Sequence, residues 1–165
     1  MTERRRGWLL VPMALFVATS SLAGQASLRV VGPTGEATSY DLVALQRLPS
    51  DTIRVTPHHG DPTVYRAVRV AELLRRAGVP IDSLRGRPLA WTVLAEAADG
   101  YRVAFSVAEL APGVGGTEAW LAFEEAGGPL PASVGPFRLV VPTDGRQSRW
   151  VRQVETLTVE SRNKQ

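Results

Sequence analysis

The amino-acid sequence predicts one α+β domain, and three observations lead there. At 165 residues, 44% hydrophobic and 21% charged, the chain has room for a single ordinary core and too little for two. Short strand patterns alternate with short helical ones from Leu28, and strands dominate from Leu89 onward, which is the distribution of a mixed sheet protein with few helices. No internal repeat, heptad pattern or low-complexity segment interrupts this order.

The elements follow in turn. Residues 1–26 read as a signal peptide: Arg4, Arg5 and Arg6 form a positive head, Trp8 to Val17 an apolar run, and Ser21-Leu22-Ala23 or Gly24-Gln25-Ala26 offer small residues for cleavage. The rival is a retained membrane anchor. The uncharged stretch from Gly7 to Ser27 is about as long as a span needs, but Pro12, Thr19, Ser20, Ser21 and Gly24 dilute it. The expected location is therefore periplasmic or secreted, with membrane contact confined to an uncleaved signal. Arg5-Arg6-Gly7-Trp8-Leu9 resembles a twin-arginine export motif, and the general secretion route stays open beside it. The folded domain is expected over residues 27–161, and the polar residues 162–165 as a frayed tail.

Leu28 to Val31 opens as a strand, and Ala37 to Tyr40 leads into Asp41, a helix N-cap for Leu42, Leu45 and Leu48, stopped by Pro49. Thr52 to Thr56 alternates with Ile53 and Val55 on one face. A loop with proline at both ends, Pro57 to Pro62, precedes a strand from Val64 to Val68 and a helix from about Ala71, with Gly78 as its left-handed cap. Leu89 to Ala95 alternates around Trp91 and Val93, Asp99-Gly100 makes a tight turn, and Arg102 to Phe105 returns as the second arm of a hairpin. Ser106 caps a short helical turn. Pro112 to Thr117 is glycine-rich without the Gly-Lys-Ser/Thr end of a phosphate loop, and reads as a flexible connector. Ala119 to Phe123, Phe137 to Val141 and Arg149 to Val159 supply the closing strands.

The sequence pI is about 9.9, yet the formal net charge is +3, and Arg4 to Arg6 against Glu3 supply +2 of it. The remaining domain carries +1, too little for a nucleic-acid footprint. There is no cysteine, so packing alone must hold an exported fold, and disulfide or thiolate chemistry is excluded for this chain. Lys164 apart, every basic residue is arginine, the side chain suited to bidentate contacts with phosphate or carboxylate.

Several segments resemble one family in the same order. Val68 to Val79, VRVAELLRRAGV, looks like its Gly-Val-Pro-Leu-x-x-Leu-Leu-x-x-Ala-Gly-Val helix, and Asp99-Gly100-Tyr101 its Asp-Gly-Tyr hairpin. Gly127 to Leu130, Gly135 to Arg138 and Arg149-Trp150 stand where it has a Gly-x-Pro-Leu turn, a Gly/Pro bend with an arginine strand, and a basic-Trp pair. That family is the sulfite-oxidase-type molybdopterin-binding domain. The resemblance spans Leu28 to Val159 and implies a single domain of mixed, twisted β-sheets with short helices. It also implies a molybdopterin cofactor with guanidinium groups on its phosphate, for which Arg138 and Arg149 are the matching positions.

The chain departs from the family's pattern where its chemistry is concentrated. The metal-ligating Cys expected after the Thr52 to Thr56 strand is replaced by a segment containing His58, His59 and Gly60, and Val134 stands near the place of a pterin-contacting histidine. His58 and His59 are candidates for a metal ligand, phosphate contact or proton donor, although adjacent residues on an extended chain point apart. Two functions stay open. One is an exported molybdopterin-type oxidoreductase domain, with Arg138, Arg149, His58, His59 and Gly60 at the cofactor and electrons passed to a redox partner. The other is a cofactor-free module of the same fold that binds a small anion or a protein partner such as a receptor.

Overall fold

The computed structural model describes residues 26–57 and 60–161. Residues 1–25, His58, His59 and 162–165 lie outside it, and with them most of the signal segment, both histidines and the polar tail.

Two five-stranded sheets enclose one continuous apolar core. The first contains β1 (Ser27–Val31), β2 (Ala37–Asp41), β5 (Thr92–Ala97), β6 (Arg102–Ser106) and β10 (Val154–Glu160), in the order β2-β1-β10-β5-β6. The second runs β3 (Asp51–Val55), β4 (Thr63–Arg69), β7 (Trp120–Glu125), β8 (Gly128–Pro129), and β9 (Arg138–Val140) also pairs with β7. β1 and β10 are parallel; the other pairs are antiparallel. Strands of the first sheet bury alternate residues, such as Leu28 and Val30 or Val103 and Phe105, whereas Trp120 to Phe123 on β7 are buried without interruption. That uninterrupted run is what a central strand covered on both faces requires.

The helices are α1 (Leu42–Gln46), α2 (Val70–Arg76) and α3 (Val107–Leu110). Asp41 accepts the Ala44 N–H at 2.7 Å, the cap expected from the sequence. Gly78, at φ +84, ends α2, whose Leu73 and Leu74 are fully buried. No helix among the described residues is long and apolar enough to cross a membrane.

Three expectations shift. The strand expected from Leu89 starts at Thr92, because Pro88 opens a 3-10 turn over Arg87–Ala90. The strand expected from Arg149 starts at Val154: a 3-10 turn covers Gln147–Arg149, and Gln153 at φ +48 breaks the extended run. The glycine-rich connector is not loose. Its Gly115 N–H donates to Ala108 O at 3.0 Å and its Thr117 N–H to Glu109 O at 2.8 Å, so the loop is tied to α3.

Candidate functional site

Sheet register gathers the site. Ala67 on β4, Ala122 on β7 and Arg138 on β9 are paired across three strands, so they share a face, and Tyr65, two residues from Ala67, shares it too. The small Ala122 in the middle leaves space for the Arg138 side chain to cross β7. Its Nη1 donates to the Tyr65 hydroxyl at 2.9 Å. The guanidinium carbon lies 5.8 Å from the Tyr65 ring centre and 5.5 Å from that of Trp150, within reach of cation–π attraction. Trp150 is itself fixed, donating Nε1–H to Val141 O at 2.8 Å, while the Val151 carbonyl accepts from Leu139 N at 2.8 Å.

Arg138 is partly buried, its Nε has no hydrogen-bond partner, and no carboxylate pairs with it among the described residues. A cation removed from water without a counter-charge is costly, and an orphaned donor costs about 1–3 kcal/mol.

Arg149 has the opposite surroundings. Its Nε and Nη2 donate to the two Asp144 carboxylate oxygens at 2.8 and 2.5 Å, and its Nη1 to Glu109 at 2.7 Å. The guanidinium stacks over Phe105, 4.6 Å from the ring centre, and hydrogen bonding to Asp144 and then Glu109 pushes its pKa above the usual arginine value. Both arginines are therefore held partly buried with fixed guanidinium groups, but in different electrostatic states. Gly60 is exposed, at φ +125 with open space around it; His58 and His59 lie outside the described residues.

Sequence reasoning missed Tyr65, Asp144 and Glu109. Ser106 followed three residues later by Glu109 is a capping-box signal, and Glu109 does accept the Ser106 N–H at 3.1 Å. Its second task, holding Arg149, leaves no local trace. Beside this region, Tyr101 of the β5–β6 turn donates to Ser148 O at 2.7 Å, which joins the Asp-Gly-Tyr hairpin to the basic-Trp segment across a cleft of about 210 Å³.

Burial raises the Tyr65 pKa above 10.0, with Arg138 opposing and Glu125 adding to the rise. A raised folded-state value means that stability present below pH 10 is lost as pH climbs through the Tyr65 value. Phenolate absorbance should show one tyrosine ionising late, and Arg138→Gln should delay it further; an unchanged curve in that variant would contradict the contact.

The profile of the oxidoreductase molybdopterin binding domain matches residues 18–165. The chain belongs to that family. A solved structure with the same fold is the sulfane dehydrogenase SoxCD from Paracoccus pantotrophus, at TM-score 0.63 and 21% identity, covering 83% of this chain. This chain spans 38% of that one. No curated protein gives a significant match. The α+β fold of mixed sheets implied by the resemblance is thus the family's own.

The described residues do not fit a molybdenum cofactor that takes a cysteine ligand from the protein. The sequence contains no cysteine, no group of three or more His, Asp or Glu among the described residues could hold a metal, and Arg149 is already compensated by two carboxylates.

Proposed function

We propose that this chain uses the family's fold to hold a small anion on Arg138, between Tyr65 and Trp150, and does not work as a cysteine-ligated molybdoenzyme. The observation that carries this reading is the partly buried Arg138 guanidinium, with its unpartnered Nε and no carboxylate among the described residues. The missing counter-charge is what an anion would supply. Isothermal titration of the domain spanning residues 27–161 with formate, nitrate and sulfate should give binding that falls about tenfold or more in Arg138→Gln, as expected for a charge-assisted hydrogen bond of ~1.5–3 kcal/mol. Binding of all three that is indifferent to Arg138 would sink the proposal.

The family match over residues 18–165 favours a second reading, a molybdopterin held without a cysteine ligand on the metal and serving a separate redox protein. Stoichiometric molybdenum or tungsten with pterin, in protein from a host that makes molybdopterin, would establish it; clean folded protein with neither would exclude it. In both readings we place the domain in the periplasm or outside the cell, on the Arg4–Arg6 head and the apolar run behind it. N-terminal sequencing of the exported protein should find cleavage close to Ala26.

A further inference from the structure

We infer that Asp144 and Glu109 keep phosphate off Arg149, by occupying on its guanidinium the positions that a phosphate would take. A guanidinium recognises phosphate or carboxylate through two parallel N–H donors. On Arg149 that pair, Nε and Nη2, is engaged by both oxygens of Asp144, and Nη1 by Glu109. One arginine with two carboxylates leaves a net charge of −1, in side chains that are 32%, 14% and 32% exposed for Arg149, Asp144 and Glu109. A phosphate dianion approaching this group meets repulsion where a lone arginine would offer attraction.

The arrangement is built in from several directions. Asp144 sits in a turn closed by its own N–H on Val141 O at 3.1 Å. Glu109 is fixed by the Ser106 N–H and by the glycine-rich loop, since Thr117 N–H donates to its carbonyl. Phe105 covers one face of the guanidinium. Arg149 is thus a cation masked by its own chain, and the two carboxylates exclude phosphate from it. This inference concerns Arg149 alone and stands or falls separately from anion binding at Arg138.

The test is to remove charge while keeping shape. Asp144→Asn and Glu109→Gln remove both negative charges and leave each side chain one acceptor oxygen, so position 109 can still accept the Ser106 N–H while Arg149 loses its counter-charge and part of its hydrogen bonding. Inorganic phosphate and pyrophosphate are titrated calorimetrically into the parent domain, the Arg149→Ala variant, the double variant, and the double variant with Arg149→Ala, each in the Arg138→Gln background so that the other arginine contributes nothing. Near-UV circular dichroism checks the fold. The expected result is no Arg149-dependent phosphate binding in the parent, a gain of about tenfold or more in the double variant, and loss of that gain when Arg149 is removed. Two results would overturn the inference: parent binding that falls in Arg149→Ala, or a folded double variant with no gain. If the double variant does not fold, Asp144→Asn alone is read in the same way, with a severalfold gain expected and its absence counting against the inference.

Discussion

Trp150→Ala should destabilise the domain by about 3–5 kcal/mol, the cost of emptying a buried aromatic site. Trp150 is 6% exposed, and its indole N–H donates to Val141 O, so the variant leaves a cavity and takes from that carbonyl one of its two donors, the Asp144 N–H being the other. It also removes one wall of the Arg138 site. Urea denaturation would read the stability loss, and a cost below about 1 kcal/mol would mean that the indole is not packed as described. Trp150→Phe separates the two roles: it should recover much of the packing while leaving Val141 O with the Asp144 N–H alone.

Gly115→Ala should cost about 1–3 kcal/mol or more, since an added methyl cannot be absorbed by a side-chain shift. A Cβ there would lie 2.5 Å from the Glu109 Cα and 2.7 Å from its carbonyl oxygen. Relief requires the loop to leave α3, losing the Thr117 N–H on the Glu109 carbonyl, or α3 to move and take Glu109 from Arg149. Gly113→Ala in the same loop meets nothing within 4 Å and should stay within about 0.5 kcal/mol of the parent. Equal midpoints for the two variants would refute the close approach.

The sequence made the frame legible because its signals were local. Asp41 caps α1 where a short acceptor precedes a leucine period, and Asp99-Gly100 turns the β5–β6 hairpin with Gly100 at φ +81. The errors arise where a residue behaves against its type. A glutamine at φ +48 has no sequence signature, and Gln153 therefore hid the late start of β10. The candidate site was half legible. Arg138 and Arg149 were singled out by the family resemblance, but what distinguishes them is set by partners that it does not name: Tyr65, remote in sequence, for the first, and Asp144 with the remote Glu109 for the second. Ion pairing across tens of residues leaves no periodicity to read.

β10, the last strand described, lies between β1 and β5 in the first sheet. Until it arrives, the β1–β2 pair and the β5–β6 hairpin have no strand joining them, so a chain delivered from its N-terminus holds two separated ribbons with exposed apolar faces. Such non-local pairing makes assembly slow, and it makes β10 a strand whose loss the first sheet cannot absorb. A truncation before Val154 would remove the centre of a sheet rather than its fringe, and the expected product is an aggregating chain rather than a shorter domain.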